Sequence, residues 1–219
     1  AYCDMGYLPD AMINYLARLG WSHGDQEIFS REELIKHFSF DSVNTSAATF
    51  DADKLSWVNE QYIQSTPPEE LAKHLEPHLV KTGVLQEGHG LSPQEIAKVV
   101  PCLNQRAKTL VEMAEKSAFF FRKELEFDEK AKNKFLTDES KPLLAKVVAG
   151  LTALDEFSAE NIETLFKKIV EEEGLKLGKL AQPVRVALTG TTVSPGIYDV
   201  VLLLGKEECL KRLGNVINS

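Results

Sequence analysis

Cysteine and long apolar runs are both scarce in this sequence, and each shortage excludes a class of protein. The three cysteines, Cys3, Cys102 and Cys209, lie far apart and form no Cys-x-x-Cys pair. Such spacing excludes a disulfide framework or a structural zinc site and favours a reducing setting. The longest apolar run, Val200 to Leu204, is far shorter than the roughly 18 residues that a membrane span needs. We therefore expect a cytoplasmic protein with no membrane association and no metal site.

Motifs for catalysis are missing as well. Gly178-Lys179 and Gly205-Lys206 lack the upstream glycine and the following hydroxyl of a phosphate-binding loop. His74 and His78 are spaced as in a zinc-protease helix, but the glutamate between them is misplaced and Pro77 would distort that helix. No serine or cysteine lies near a histidine in a nucleophile pattern. We expect no catalytic residue in this chain.

Alternating strand patterns are scarce, whereas signals for short helices recur along the chain. Only Val184 to Leu188 has a pattern that could form a strand instead of a helix. Helix starts are marked by capping boxes, in which a serine or threonine is followed three residues later by glutamate. They begin at Ser30, Thr66 and Ser92. The sequence predicts an all-α fold of short helices with proline and glycine joints.

Three prolines give more local expectations. Pro77 should break or kink its helix near His78, because a proline has no N–H to donate inside a helix. After Pro101, a helix should resume through Arg106. Pro195 should take the first position of a helix, with Ser194 as its N-cap.

The distribution of charge suggests where an anionic partner would bind. The whole chain carries a formal charge of −8, yet residues 174–213 hold six basic and three acidic side chains. Residues 98–123 are also basic, with six cations against two acids. Because surface potential acts locally, these two stretches are the candidates for contact with an anion.

Several short motifs, in this order, resemble the part of bacterial glutamyl-tRNA synthetase that follows its Lys-Met-Ser-Lys-Ser type signature. The motifs include Gly6-Tyr7-Leu8-Pro9, Leu19-Gly20-Trp21-Ser22, Phe50-Asp51, Ala181-Gln182-Pro183-Val184-Arg185 and Ser194-Pro195-Gly196. They span nearly the whole chain, so chance similarity explains them poorly.

The resemblance implies three parts and a binding role. Residues 1–66 would be the later part of a small helical stem-contact segment, 67–118 a first anticodon-binding subdomain and 119–219 a second, the last two forming consecutive helical bundles. The longer enzyme would attach glutamate to tRNA(Glu) using ATP and magnesium in a catalytic domain that this chain lacks. The chain itself would be a catalytically inactive monomer without a cofactor, which holds the stem and anticodon loop of the tRNA.

The resemblance also assigns the candidate RNA-binding residues. Arg106 aligns with an arginine that reads the third anticodon base and favours the glutamate anticodon over the glutamine one. Arg185, Ser194, Pro195 and Ile197 align with contacts to the other anticodon bases. The residues alone leave plainer alternatives open: Arg106 as an ordinary surface arginine, Arg185 as a cation at a helix C-terminus, and Pro195 as only a helix start.

A second hypothesis comes from the overall acidity rather than from the two basic stretches. An acidic, all-helical chain would also suit a protein-interaction domain that does not bind RNA. Such a domain would recover a protein partner without RNA and would show no tRNA shift at low salt.

Overall fold

The computed structural model describes residues 1–44 and 49–219, and the chain is helical over most of that length. No strand forms among those residues, where the only β pairing is two isolated bridges, Trp21 with Val43 and His23 with Gln26. The predicted all-α class is confirmed. No helix in the described ranges is both long and apolar enough to cross a membrane.

The chain divides into two compact units, residues Ala1–Ser117 and Ala118–Ser219. Unit 1 therefore contains both the predicted stem-contact segment and nearly all of the predicted first anticodon subdomain. The three-part division of the chain at 66/67 and 118/119 stays a prediction. The units are described separately below.

Unit 1 contains six helices, most of a seventh, and three short 3₁₀ turns among its described residues. The helices are α1 (Pro9–Arg18), α2 (Arg31–His37), α3 (Ala52–Ser65), α4 (Pro68–Lys81), α5 (Pro93–Ala97), α6 (Val100–Leu103) and α7 (Leu110–Phe121). The 3₁₀ turns are Cys3–Met5, Phe40–Ser42 and Asn104–Arg106. The core side chains of α3 and α4 recur at three- and four-residue spacing, as an amphipathic helix requires. They are Leu55 and Val58 in α3 and Leu71, Leu75 and Leu79 in α4.

Unit 2 is a bundle of six further helices. They are α8 (Glu129–Phe135), α9 (Lys141–Ala153), α10 (Ala159–Glu172), α11 (Leu177–Thr189), α12 (Ile197–Leu204) and α13 (Lys206–Ile217). Its core is built from the buried faces of α9 to α13, including Leu144, Phe166, Val184, Val200 and Leu213. Cys209 lies in the same core, and burial raises the pKa of its thiol to about 12. This cysteine therefore packs as a small apolar residue.

The predicted helix starts are only partly correct. Ser30 and Ser92 form complete capping boxes with Glu33 and Glu95, as expected. The capping box predicted at Thr66 is wrong, because α4 takes Pro67 as its N-cap and has no side-chain cap. The Thr66 hydroxyl instead donates to the carbonyl oxygen of Tyr62, so it closes the end of α3.

The expectations for Pro77 and for the segment after Pro101 also need correction. Helix α4 continues through Pro77 to Lys81, so the break expected near His78 does not occur, while the alternative of a kink stays a prediction. The helix predicted through Arg106 does not form, because a 3₁₀ turn ends at Arg106 and the backbone is extended at Ala107, with φ −132° and ψ 136°. Helix α7 starts only at Leu110. Arg106 therefore lies in a turn between two helices.

Candidate nucleic-acid interface

The first candidate element is the turn that carries Arg106. Arg106 is exposed, while Leu103 and Ala107 on either side of it are buried. Within the part of the chain that the structure describes, the Arg106 guanidinium makes no hydrogen bond or ion pair. The buried neighbours thus anchor the turn, and the guanidinium keeps all five of its donors for a ligand.

The backbone that follows Arg106 is held by side chains of α7 and α3. The Lys116 ammonium donates to the carbonyl oxygen of Arg106. The Lys108 N–H donates to the Glu112 carboxylate at 2.8 Å, and the Lys108 carbonyl accepts from the Asn59 amide at 2.6 Å. These contacts fix the path of the chain on the C-terminal side of Arg106.

Glu112 connects two of these contacts. Burial raises the pKa of its carboxyl, but the Lys108 N–H and the Lys116 ammonium lower it by more, so the pKa lies below its usual value. The Glu112 to Lys116 ion pair measures 2.6 Å between Oε1 and Nζ. Because Glu112 stays ionised near neutral pH, the turn keeps its anchor there.

The second candidate element is the loop between α11 and α12 in unit 2. Arg185, half-buried on α11, donates to the Ser194 hydroxyl and to the carbonyl oxygen of Pro195, the latter at 2.6 Å. The Ser194 hydroxyl in turn donates to the Pro195 carbonyl at 2.9 Å. The structure thus brings together Arg185, Ser194 and Pro195, which the sequence predicted as one site.

The start of α12 differs from the prediction. Gly196 is the N-cap and the helix begins at Ile197, so Ser194 is not the cap and Pro195 is not the first helical residue. Ser194 lies two residues before this N-cap, and its hydroxyl bonds to Arg185 and to the Pro195 carbonyl instead of to a helix N–H. Asp199 supplies the acidic residue in the first turn of α12.

Of the four residues predicted at this site, two have buried side chains. Pro195 is buried and Ile197 is 5% exposed. The exposed residues of the loop are Thr191, Thr192, Val193 and Gly196, and Val193 is 78% exposed. A ligand would therefore meet the tip of the loop and the backbone around Pro195, rather than the faces of the Pro195 and Ile197 side chains.

The base of this loop is fixed by Gly190, which ends α11. Its φ of +77° is in the left-handed region, where glycine is favoured. A Cβ atom there would also collide with the carbonyl oxygen of Glu126, since the chain passes close by. The Gly190 carbonyl accepts from the Asp128 N–H at 2.9 Å.

A buried arginine that the sequence reading missed also supports the end of α11. Arg212 is 6% exposed and donates to the carbonyl oxygens of Phe119 at 2.8 Å, Leu188 at 2.7 Å and Arg122 at 3.1 Å. Its Nε donates to Glu208 at 2.7 Å. The four-residue spacing of Glu208 and Arg212 on a predicted helix was the available signal. That spacing could not reveal the three carbonyl partners, which come from distant parts of the chain.

Both candidate elements fall within one matched family region. The family model described as "Anticodon binding domain" matches residues 70–217, and that of "tRNA synthetases class I (E and Q), catalytic domain" matches residues 1–57. Arg106 and the loop from Arg185 to Ile197 both lie in the first of these regions.

Curated relatives extend the similarity to the whole chain. The chain is 48% identical over 219 residues to the glutamate-tRNA ligase of Thermodesulfovibrio yellowstonii, covering 100% of this chain and 47% of the relative. It is 50% identical over 217 residues to that of Syntrophobacter fumaroxidans, covering 99% and 46%. The chain thus spans slightly less than half the length of these relatives and matches their C-terminal part.

Solved structures agree with this similarity. A glutamate tRNA ligase from Elizabethkingia meningosepticum superposes with a TM-score of 0.85 at 32% identity, over 100% of this chain and 43% of the other. A glutamate-tRNA synthetase from Elizabethkingia anophelis gives a TM-score of 0.81 at 32% identity, over 100% and 42%. The resemblance drawn from the short motifs is therefore confirmed, and the chain belongs to the anticodon binding domain family, in the form found in the C-terminal part of glutamate-tRNA ligases.

Proposed function

We propose that this chain binds tRNA(Glu) and reads its anticodon. The observation that carries the proposal is the position of both candidate elements inside the region matched by the anticodon binding domain model. In unit 1 other side chains hold the backbone beside Arg106, whereas in unit 2 Arg185 itself holds the backbone of the loop. Single-stranded anticodon bases are read by hydrogen bonds to their edges and by stacking, and such contacts need donors at fixed positions.

In this proposal Arg106 reads the third anticodon base. Its guanidinium is exposed, and its planar fork of donors suits the edge of a base better than a lysine would. The neighbouring exposed Lys108 would contact phosphate, which strengthens binding without distinguishing sequences. Discrimination between the glutamate and glutamine anticodons would then rest on Arg106.

The loop of unit 2 would meet the other anticodon bases. Arg185, Ser194, Pro195 and Ile197 are the residues assigned to this role. Since Pro195 and Ile197 are buried, they would act by setting the backbone that the base contacts. Arg185 would order the loop through Ser194 and Pro195 while completing the contact surface.

The ligase reaction belongs to the longer protein. It would use ATP and magnesium in a catalytic domain that this chain mostly lacks, although residues 1–57 match the family model of that domain. We propose that this chain by itself is a cytoplasmic monomer divided at 66/67 and 118/119, and that it has no ligase activity. An ATP-pyrophosphate exchange assay with glutamate and tRNA should show no turnover, and turnover would contradict that assignment.

The binding proposal is tested by titrating the chain with a tRNA(Glu) transcript and with a transcript whose third anticodon base is changed. Log affinity should fall against log salt with a slope of about 0.7 to 0.9 per phosphate contacted. Arg106→Ala should lose about 1 to 3 kcal/mol of discrimination between the two transcripts.

The matched control is Arg31→Ala, an exposed arginine of unit 1 outside the matched anticodon region. It should leave the ratio of the two affinities unchanged. An unchanged ratio in Arg106→Ala would contradict the role of Arg106. Absence of any salt-dependent tRNA binding would favour the protein-interaction hypothesis instead.

A further inference from the structure

Asn59 is a polar side chain placed in the apolar interior of unit 1. It lies on α3 and is 0% exposed, next to the core residue Val58 and one turn before Ile63. A buried amide is unfavourable unless it is hydrogen-bonded. Neither the motifs nor the resemblance assigned it a role.

The partners of Asn59 are all backbone groups of two stretches that are distant in sequence. Its Oδ1 accepts from the Leu8 N–H at 2.8 Å. Its Nδ2 donates to the Lys108 carbonyl at 2.6 Å and to the Gly6 carbonyl at 3.4 Å. An uncharged amide is the group that presents an acceptor and two donors in this way.

The two stretches also contact each other directly. The Leu110 N–H donates to the Gly6 carbonyl at 2.9 Å. Gly6 lies so close to the start of α7 that a Cβ atom on it would be 2.6 Å from the Val111 nitrogen and 2.7 Å from the Leu110 nitrogen. The segment Gly6–Leu8 therefore packs directly against residues 108–111, and the Asn59 side chain hydrogen-bonds to the backbone of both.

This junction lies two residues after Arg106. The Lys108 peptide is held on one side by Glu112 and on the other by Asn59. The Arg106 side chain makes no contact of this kind among the described residues, so its backbone alone sets where the guanidinium starts. Small displacements of a recognition group reduce its selectivity steeply.

We propose that Asn59 is a positioning residue for anticodon discrimination, because it fixes the Arg106 turn onto the Gly6–Leu8 segment. The proposal rests on the proposed function of Arg106. It adds a residue outside both matched family regions, which end at residue 57 and begin at residue 70.

The test compares Asn59→Asp with wild type in the tRNA titration. The carboxylate keeps the acceptor for Leu8 but replaces both donors with an oxygen that faces two carbonyl groups. The preference for tRNA(Glu) over the transcript with a changed third base should fall at least about fivefold, the lower end of what a bidentate base contact supplies. The preference against a changed first anticodon base, assigned to unit 2, should stay as in wild type.

Ile63→Val and Ile63→Ala are the controls for stability, since Ile63 lies one turn later on α3 and is fully buried without polar groups. The Ile63 variant whose melting temperature is nearer to that of Asn59→Asp serves as the matched control. It should keep the wild-type preference at both the third and the first anticodon base. Hydrogen exchange at Lys108 and Leu110 should accelerate in Asn59→Asp more than in the matched control.

Each outcome decides the proposal. If Asn59→Asp does not fold, Asn59→Ala, which leaves a small cavity instead of facing carbonyls with a charge, carries the same comparison. Equal third-base preference in wild type and the folded Asn59 variant would overturn the proposal while leaving the function of Arg106 intact. Failure of both Asn59 variants to fold, beside folded Ile63 variants, would show a purely structural role. A wild-type ratio near one would reject the proposed function and this inference with it.

Discussion

The two candidate elements use arginine in opposite ways. In unit 1 the Arg106 guanidinium is exposed and the backbone around it is held by Lys116, Glu112 and Asn59. In unit 2 the Arg185 guanidinium itself holds the loop, through Ser194 and Pro195. One arginine is thus presented by its surroundings, whereas the other organises them. Substitution at Arg106 should therefore change selectivity, and substitution at Arg185 should change the order of the loop.

The largest effect is expected in the support of the unit 2 loop. Arg212→Met would leave three carbonyl groups at helix ends without their donor. Unit 2 should lose about 3 kcal/mol of unfolding free energy. Hydrogen exchange in α11 and α13 measures this loss, with α3 and α4 of unit 1 as the reference.

The matched control for Arg212 is its neighbour Lys211, which is exposed and pairs with the same Glu208 at 3.3 Å. Lys211→Met should change the stability of unit 2 by less than about 0.5 kcal/mol. Similar losses in the two variants would show that the three carbonyl contacts contribute little.

A smaller effect is expected at the base of the loop. Gly190→Ala would force a side chain into a left-handed backbone conformation and against the Glu126 carbonyl. We expect a loss of about 2 kcal/mol in thermal or denaturant unfolding. Gly178→Ala, in the first turn of α11 with open space around it, should instead be neutral or stabilise by about 0.5 kcal/mol. A neutral Gly190→Ala would contradict the close approach of the two segments.

The comparison between the two arginines is sharpened by substituting each one. Arg185→Ala should destabilise unit 2 by about 1 kcal/mol and accelerate hydrogen exchange at residues 191–194 and at Gly196, because two hydrogen bonds are lost. Arg106→Ala should change stability by less than about 0.5 kcal/mol. If both variants left stability and exchange unchanged, Arg185 would not hold its loop, and the proposed difference between Arg185 and Arg106 would be wrong.

The smallest effect is a difference in pH dependence between the units. All five histidines lie in unit 1, at His23, His37, His74, His78 and His89. Burial lowers the pKa of His78 from 6.5, and Lys81 lowers it further. The unfolded state therefore binds the proton more readily, so unit 1 loses stability as the pH falls below about 6.5, by at most about 1.4 kcal/mol per pH unit.

Unit 2 has no histidine, and its stability should stay flat in this window. Glu208 in unit 2 has a lowered pKa, since its pairing with Arg212 outweighs its burial, so its contribution is lost only at more acidic pH. Denaturant unfolding between pH 7 and 5.5, followed by the two tryptophans of unit 1, measures the slope of unit 1, and hydrogen exchange in α11 and α13 measures that of unit 2. His78→Gln should reduce the slope, and an unchanged slope would contradict the role of His78.

Sequence reasoning succeeded where the determinants are local. The capping boxes at Ser30 and Ser92 formed because each serine and its glutamate are three residues apart and need no other partner. The motifs around Gly6 and Arg185 identified the family because several residues in each motif match it together, in the same order along the chain. Such signals survive without knowledge of the tertiary structure.

Sequence reasoning failed where a distant group took part. Ser194 looked like a helix cap, but α12 starts two residues later than expected, and the Ser194 hydroxyl bonds to Arg185 and to the Pro195 carbonyl. The helix predicted through Arg106 is interrupted where Asn59, about fifty residues earlier, binds the Lys108 carbonyl. Pro77 was expected to break or kink its helix near His78, and the break does not occur, because α4 continues to Lys81 with Leu75 and Leu79 buried on either side of Pro77. The Asn59 and Arg212 networks consist of contacts to backbone carbonyls, which no pattern of side chains records.

The central claim is that Arg106 reads a base while Arg185 orders the loop that meets the others. A crystal structure of this chain with the anticodon stem-loop of tRNA(Glu) tests it most directly. We predict the Arg106 guanidinium within hydrogen-bond distance of the edge of the third anticodon base, with Arg185 still bonded to Ser194 and Pro195. An Arg106 side chain facing solvent in that complex, with the third base held by other residues, would contradict the account.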